Sequence, residues 1–379
     1  MRSVGPRPAT LDFFSIATPG PGRKLAAMVE LAPSPVVQSA EIPLKPESKR
    51  ENFVRAYRWM LLARTLDEKL AALYKAGGKI SGGVFLGTGQ EALSTALGVA
   101  LRKGDVFAPL IRDLAGRLAF GEPVLDATRT YLGSRLGPMR GRDGNIHRGR
   151  IAEGQMAMIS HLGAMISTTA GVLLARRMRG QTGTVGAISI GDGATSTGST
   201  HEGLNTAAVE HLPLVAVIAN NQYAYSTPTS RQFACEDLLD RAKGYGYEGH
   251  GVDGTDLEAC LEVLQRAVDR AREGHGPQMV VARLLRLTGH GLHDDASYVD
   301  AKLKASPVGA DCLRLAEKTL LERHWAEPKD LTSWKAECVK EVDEAAAQAM
   351  RDPAPDPKLE DWSALNEPEM LDLGLATRG

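Results

Sequence analysis

The first regular feature of the chain is a run of apolar residues at helical spacing between Glu51 and Tyr74. Leucines recur three or four positions apart within this run, so they would share one face of a helix. Glycines follow at positions 77 and 78, and glycine is common where a helix ends. This pattern predicts a long helix whose core-facing positions are Leu62, Leu66, Leu70 and Leu73.

Downstream of residue 183 the pattern changes to buried strands that alternate with amphipathic helices. The segments TVGAISI, LPLVAVIAN and MVVARLL are almost continuously apolar, which is typical of parallel strands covered on both faces. Between the first two lies a helical segment in which Ser199 and Glu202 have the spacing of a capping box. A second helix is predicted after Asp256, whose side chain can cap it. The alternation predicts an α/β fold with a mainly parallel sheet flanked by helices.

The remaining segments predict how the chain is divided. Residues 1–46 are rich in proline and lack helical or strand periodicity, which predicts a loose N-terminal arm. Residues 47–300 contain the sheet pattern, although 51–170 has the pattern of helices and long loops. Residues 301–352 are helical and charged, and 353–379 form a tail rich in proline and aspartate. We therefore expect one α/β domain with helical N- and C-terminal extensions.

Composition and charge argue against several classes of partner. The 379 residues carry a formal net charge of -1, so no basic surface for nucleic acid is indicated. No apolar run is long enough to span a bilayer and no signal peptide is recognisable, so no membrane partner is expected. The four cysteines are widely spaced and lack a CxxC pair, which favours reduced thiols in a cytoplasmic protein.

Two polar motifs follow neighbouring predicted strands. The first is GDG, with Asp192 between two glycines, and the second is NNQYAYST, which contains Asn221. Because ligands bind at the carboxyl ends of strands in an open α/β sheet, we expect Asp192 and Asn221 to face one site. Carboxylate and amide oxygens suit Mg²⁺ or Ca²⁺, which commonly carry phosphates as further ligands. The glycines would let backbone amides approach those phosphates, so the motifs predict a metal-bridged diphosphate.

The order and separation of these motifs resemble the thiamine diphosphate motif of thiamine-dependent enzymes. The segment GDGATSTGSTHEGLNTAAVEHLPLVAVIANNQYAYST is similar to the alpha subunit of the decarboxylating component of 2-oxo acid dehydrogenase complexes. The resemblance extends from about Asn52 to about Tyr298. It implies a thiamine diphosphate-binding fold and the oxidative decarboxylation of a 2-oxo acid.

The resemblance also implies roles for individual positions. Asp192 and Asn221 match the family's metal ligands, and Tyr223 matches the residue that adds a backbone carbonyl to the metal. His290, in the segment RLTGHGLHDD, matches the catalytic histidine beside the cofactor, which assists acyl transfer. The other matches would bind the cofactor, the diphosphate through Arg112, Gly193 and Ala194, and the aminopyrimidine ring through the main chain of Ser160 and Leu162.

Four positions depart from the family's usual pattern. Ile111 replaces a tyrosine before the arginine and removes one expected hydroxyl contact to the diphosphate. Phe85 and Leu114 stand where pyruvate-type relatives carry histidines, so both are candidate substrate-side residues. Their apolar character favours a branched-chain or other bulky 2-oxo acid, such as 3-methyl-2-oxobutanoate. Gly291 replaces the regulatory serine of animal relatives, so that phosphorylation site should be absent.

The family's cofactor chemistry implies protein partners. The glutamate that activates the aminopyrimidine comes from a second, pyrimidine-binding domain, whereas this chain has only one α/β sheet pattern. We therefore expect a beta subunit and an α₂β₂ assembly with sites at the interface. The expected acyl acceptor is a lipoyl domain of a dihydrolipoyl acyltransferase core.

Other interpretations stay open at this level. A pyruvate or acetoin dehydrogenase alpha subunit would carry the same motifs, and a transketolase-type enzyme would need the pyrimidine domain, fused or as a partner. A noncatalytic metal- and diphosphate-binding module would be expected to lose the arginine and the histidine loop. The chain keeps both Arg112 and His290, which favours catalysis.

Overall fold

The structure, a computed structural model, describes most of the chain between its two terminal segments, namely residues 48–77, 79–80, 82–143 and 147–360. The predicted arm at 1–46 and most of the predicted tail, from 361 onward, lie outside these residues. Within the described ranges, no helix is long and apolar enough to cross a membrane. All four cysteines are free, and three of them are buried.

A parallel sheet forms the centre of the described chain. The strands are β1 (Val106–Ala108), β2 (Gly186–Gly191), β3 (Leu214–Asn220), β4 (Tyr223–Ala224), β5 (Thr227–Pro228), β6 (Glu248–Asp253) and β7 (Gln278–Arg283). Five of them form one sheet in the order β1, β2, β3, β7, β6, and every neighbouring pair is parallel. Strands β4 and β5 form a short antiparallel pair. The predicted α/β fold with a mainly parallel sheet is confirmed.

Helices cover both faces of this sheet. The helices are α1 (Lys49–Lys75), α2 (Glu91–Ala100), α3 (Leu114–Ala119), α4 (Val124–Tyr131), α5 (Ala164–Met178), α6 (Gly198–Val209), α7 (Asp240–Tyr245), α8 (Leu257–Arg272), α9 (Ala301–Lys304), α10 (Cys312–Glu322) and α11 (Pro328–Arg351). On one face, α2 and α8 pack against the sheet through side chains such as Leu97 and Leu264. On the other face, α5 and α6 do so through Ile166 and Leu204.

The predicted first helix corresponds to α1. Ser48 and Glu51 form a capping box at its start, which satisfies backbone donors that have no partner within the helix. Leu62, Leu66 and Leu70 are buried, as their spacing predicts. These side chains join a core cluster that includes residues of α10 and α11, so the C-terminal helices pack against α1.

Three local predictions need correction. The capping box at Ser199 and Glu202 is wrong, because α6 begins earlier, at Gly198, and the Thr197 side chain caps it by accepting from Thr200 N. The segment 51–170 is not purely helix and loop, since β1 lies in it and pairs with β2. A strand of three residues is too short to show periodicity. Strand β6 was missed because its sequence, EGHGVD, has neither an apolar run nor apolar alternation.

Candidate active site

Four adjacent strands end at one edge of the sheet, and a candidate residue follows each of them. Arg112 lies after β1, Asp192 directly after β2, Asn221 directly after β3, and His290 in the segment after β7. The carboxyl ends of parallel strands are the usual ligand-binding edge of an open α/β sheet. The topology thus brings together residues that are far apart in the sequence.

Three oxygen atoms meet at this edge. Asn221 donates from Nδ2 to the Gln90 Oε1 atom at 3.1 Å. Its Oδ1 atom then lies 3.1 Å from Asp192 Oδ1 and 3.0 Å from the carbonyl oxygen of Tyr223. Turning this amide over alone would add two hydrogen bonds but would set its oxygen against Gln90 Oε1, which only accepts. Oxygens grouped in this way suit a hard cation such as Mg²⁺ or Ca²⁺, so the donor set fits a metal.

The second carboxylate oxygen of Asp192 is engaged elsewhere. Asp192 is only 1% exposed, and its Oδ2 atom accepts a hydrogen bond from Gln232 Nε2 at 2.7 Å. Burial raises the pKa of the Asp192 carboxyl, and the bond from Gln232 opposes that rise. A cation at Oδ1 would also stabilise the ionised carboxylate, as the bond from Gln232 does.

The turn after Asp192 requires a glycine and is tightly bonded. A Cβ at Gly193 would lie 2.5 Å from the Cβ of Ala224, so only glycine lets this turn pack against β4. The next carbonyl, of Ala194, accepts from the hydroxyls of Thr197 and Thr200 at 2.9 and 2.7 Å. The close packing leaves the backbone of residues 193 and 194 in a fixed position beside the oxygen cluster.

Two buried arginines lie beside the candidate site. Arg112, 4% exposed, donates to the carbonyl oxygens of Leu86 and His290 at 3.3 and 2.6 Å. Arg286, 5% exposed, donates to the Tyr225 carbonyl and to a tyrosine hydroxyl. Burial and the charge of Arg286 lower the pKa of Arg112 to about 9. Neither guanidinium has an ion-pair partner among the described residues, and two such cations attract an anion.

His290 lies among aromatic rings. Its ring centroid is 5.4 Å from that of Phe85 and 4.5 Å from that of Tyr225, both at steep angles. Burial, together with the charges of Arg112 and Arg286, lowers the pKa of His290 to about 4. The imidazole is therefore neutral at neutral pH. Its backbone N–H donates to Asp294 Oδ2 at 2.5 Å, which fixes the loop.

Three other predicted residues lie in different surroundings. Ser160 is exposed, and its hydroxyl is 2.9 Å from His147 Nε2. Leu162 is 48% exposed, while its carbonyl accepts from the Ser199 hydroxyl at 2.7 Å. Leu114, the first residue of α3, is 5% exposed within the core cluster around α1. The structure places Phe85 next to His290 and Leu114 in the core.

The sequence did not point to several residues that touch the predicted ligands. Gln90 and Gln232 bond Asn221 and Asp192, and Arg286 adds the second buried cation. Arg286 opens the histidine-loop segment RLTGHGLHDD, so its position was a usable signal. The glutamines gave none, because an amide side chain in a loop has no distinctive spacing.

Comparisons with known proteins bear on this arrangement. Residues 57–358 match the family described as dehydrogenase E1 component. The chain belongs to this family. The resemblance found in the sequence is thereby confirmed: this E1 chain is of the alpha-subunit type of the 2-oxo acid dehydrogenases, and the family implies thiamine diphosphate.

Several curated relatives of this E1 chain are alpha subunits. It is 32% identical to the alpha subunit of acetoin:2,6-dichlorophenolindophenol oxidoreductase from Cupriavidus necator, over 84% of this chain and 95% of that protein. It is 32% identical to the pyruvate dehydrogenase E1 component subunit alpha of Rhizobium meliloti, over 82% and 89%. It is 36% identical to the 2-oxoisovalerate dehydrogenase subunit alpha of Bacillus subtilis, over 64% and 74%. These relatives differ in the substrate that their names give.

Proposed function

We propose that this E1 chain is the alpha subunit of a thiamine diphosphate-dependent dehydrogenase that decarboxylates a branched-chain 2-oxo acid. The observation that carries the proposal is that Asp192 Oδ1 and the Tyr223 carbonyl oxygen lie 3.1 and 3.0 Å from the same side-chain atom of Asn221, which is Oδ1 when Nδ2 bonds Gln90. Arg286, one of the two buried arginines, acts electrostatically on Asp192, and it also repels Arg112. A divalent cation and a diphosphate together would neutralise both groups.

The cation is Mg²⁺ or Ca²⁺, held by Asp192, Asn221 and the Tyr223 carbonyl. The diphosphate is bound by the Arg112 guanidinium and by the backbone at Gly193 and Ala194. Arginine suits this role because its planar fork can bond two phosphate oxygens at once. The backbone of residues 193 and 194 can approach the anion closely because position 193 has no side chain.

Thiamine diphosphate, when bound, supplies the electron sink for decarboxylation. His290 has a pKa of about 4, so its neutral imidazole can accept a proton or share one by hydrogen bonding at neutral pH. Arg112 donates to the His290 carbonyl and so fixes the loop that carries the imidazole. Phe85 and Tyr225 contact two sides of the ring. Ser160 and Leu162 bind the aminopyrimidine ring through their main chain.

The branched-chain preference rests on Phe85. Its ring lies against His290 and under the Arg112 guanidinium, whose central carbon is 5.8 Å from the ring centroid. Leu114 supports the preference less, because it packs in the core. A pyruvate or acetoin dehydrogenase is the second candidate, since relatives with those names match a larger share of the chain than the 2-oxoisovalerate relative does.

Two partners complete the proposed enzyme. A beta subunit supplies the glutamate that activates the cofactor, and the assembly is an α₂β₂ heterotetramer. The exposed positions of Ser160 and Leu162 support an open side of the site that a partner can cover. The acyl group passes to a lipoyl domain of a dihydrolipoyl acyltransferase core.

Calorimetric titration and a substrate panel test this function. Thiamine diphosphate with Mg²⁺ is titrated into the chain alone, into the chain mixed with its beta subunit, and into the Asp192→Ala mixture. We expect tight binding only in the unaltered mixture, which should then release carbon dioxide from 3-methyl-2-oxobutanoate faster than from pyruvate. Binding unaffected by Asp192→Ala would contradict the proposed site, and faster turnover of pyruvate or acetoin would favour the second candidate.

A further inference from the structure

Two glutamines from different parts of the chain bond the two side-chain ligands of the proposed cation site. Gln90, 3% exposed, lies just before α2 and accepts from Asn221 Nδ2 at 3.1 Å. Gln232 follows the β4–β5 pair and donates from Nε2 to Asp192 Oδ2 at 2.7 Å. Each glutamine thus bonds the atom of the ligand that faces away from the oxygen cluster.

We propose that Gln90 and Gln232 are positioning residues that decide which atoms of Asn221 and Asp192 face a divalent cation. This inference rests on the proposed function, because it concerns the cation that bridges the diphosphate. Outer hydrogen bonds of this kind orient metal ligands and change metal affinity by about 10- to 100-fold when they are lost. Neither glutamine is itself a ligand in this proposal.

Gln232 is held in one orientation by its own contacts. Its Nε2 atom donates both to Asp192 Oδ2 and to the Thr227 carbonyl, at 2.7 and 2.8 Å. Turning the amide over would set its oxygen against two acceptors. The Ser196 hydroxyl donates to the Gln232 carbonyl at 2.8 Å and fixes the backbone there. Asp192 Oδ2 is therefore engaged, and Oδ1 is the oxygen that faces the cluster.

Gln90 controls the direction of the Asn221 amide. With Gln90 Oε1 as acceptor, Asn221 must present Nδ2 to it and Oδ1 to the cluster. If both amides turned over, Asn221 Nδ2 would bond Asp192 and the Tyr223 carbonyl, and the cluster would be satisfied without a cation. Gln90 Nε2 is buried without a hydrogen-bond partner among the described residues, so a cation at the cluster would favour the arrangement in which Gln90 Oε1 accepts from Asn221.

The decisive experiment measures cation binding directly. Mn²⁺ is titrated into the full chain assembled with its beta subunit, at saturating thiamine diphosphate, and free Mn²⁺ is followed by electron paramagnetic resonance. We expect Gln232→Met, which keeps the side-chain length but removes the donor, to raise the half-saturating Mn²⁺ concentration at least tenfold. The matched control is Gln222→Met, in the same loop, where the amide bonds Asn220 instead of Asp192. It should stay within twofold of the unaltered assembly.

Two substitutions at position 90 separate orientation from packing. Gln90→Glu keeps an acceptor toward Asn221 and should bind Mn²⁺ within threefold of the unaltered chain. Gln90→Met loses the acceptor, lets Asn221 turn over, and should weaken Mn²⁺ binding at least fivefold. Thiamine diphosphate affinity at saturating Mn²⁺ and the melting temperature should change little in each case, which a general packing defect would not allow.

The outcomes distinguish this inference from the proposed function. If the unaltered assembly binds no Mn²⁺ with thiamine diphosphate, the proposed function fails and this inference fails with it. If it binds Mn²⁺ and Gln232→Met stays within twofold, or the two variants at position 90 behave alike, only the positioning role is overturned. Should Gln232→Met fail to assemble, Gln232→Leu takes its place with the same expectation, and the position 90 pair gives an independent answer.

Discussion

Two pairs of buried arginines, Arg117 with Arg148 and Arg112 with Arg286, differ in whether they bond a carboxylate. Arg117 and Arg148 both bond Glu122, at 3.1 and 2.7 Å, and all three side chains are buried. Arg112 and Arg286 are as deeply buried, but among the described residues they bond only carbonyl oxygens, a hydroxyl and an imidazole. The first pair shares one buried carboxylate, whereas the second pair bonds no carboxylate among the described residues.

The pKa values of Glu122 and Arg112 reflect this difference. Burial opposes ionisation of Glu122, yet Arg117 and Arg148 hold its pKa at about 2. Burial and the repulsion from Arg286 lower the pKa of Arg112 to about 9. A buried charge without a partner is costly, so a site that retains two of them is expected to have an anionic ligand. We therefore propose that the first pair stabilises the fold and that the second pair binds an anionic ligand.

The largest expected effect is a loss of stability when the carboxylate of the first pair is changed. Glu122→Gln removes the carboxylate charge that pairs with both Arg117 and Arg148, and it should lower the free energy of unfolding by about 3–5 kcal/mol. Urea unfolding checks this value. Glu153→Gln, at an exposed ion pair with Arg150, is the control and should cost less than about 1 kcal/mol. A loss below about 1 kcal/mol for Glu122→Gln would contradict the structural role.

At the second pair, Arg112 and Arg286, we expect a large effect on cofactor binding and a small effect on stability. Arg112→Met should weaken thiamine diphosphate binding about 30- to 100-fold, because a charged bond to phosphate is lost. The free energy of unfolding should change by less than about 1.5 kcal/mol, since relief of the repulsion from Arg286 offsets the lost bonds to carbonyls. Calorimetric titration of Arg112→Met measures its cofactor affinity, and urea unfolding measures its stability. Unchanged cofactor affinity with a large loss of stability would make both pairs structural.

Asp67 should make the stability of the chain depend on pH. It is buried near Arg112 without a bond to it, accepts from Gly87 N at 2.8 Å, and burial raises its pKa to about 7. The folded chain then keeps a proton that the unfolded chain releases near pH 4, so stability falls as pH rises from about 4 to 7. Asp67→Asn should remove about 2–3 kcal/mol of this fall between pH 5 and 8. The free energy of unfolding is measured against pH for the unaltered chain and for Asp67→Asn. If it changes with pH equally in both, Asp67 is ionised throughout and the prediction is wrong.

The smallest expected effect is on His290. Burial and the charges of Arg112 and Arg286 hold its pKa at about 4, so a bound diphosphate that neutralises the arginines should raise that pKa by about one unit. Nuclear magnetic resonance of ¹³C-labelled histidine, with and without thiamine diphosphate and Mg²⁺, measures the change. Arg112→Met should give a similar rise without the cofactor. An unchanged pKa on cofactor binding would place the anion away from the arginine pair.

The comparison also explains what the sequence could predict. The position of Asp192 and Asn221 at one edge of the sheet could be predicted because each follows a buried apolar strand, and strand ends meet at one edge of a parallel sheet. Leu114 was assigned to the substrate side by its position after Arg112, yet α3 begins at that residue and turns its side chain into the core. The roles of Gln232 and Arg286 depend on how loops fold back over the sheet, and no periodic pattern records that contact.

The position of the cation itself is the most direct test of the proposed site. Crystals of the assembly with thiamine diphosphate and Mn²⁺ can be measured at a wavelength where manganese scatters anomalously. We predict one strong anomalous peak bonded to Asp192 Oδ1, Asn221 Oδ1 and the Tyr223 carbonyl oxygen, with the diphosphate next to Arg112. A manganese peak bonded to other residues, or a cofactor bound without a peak at these three oxygens, would contradict it.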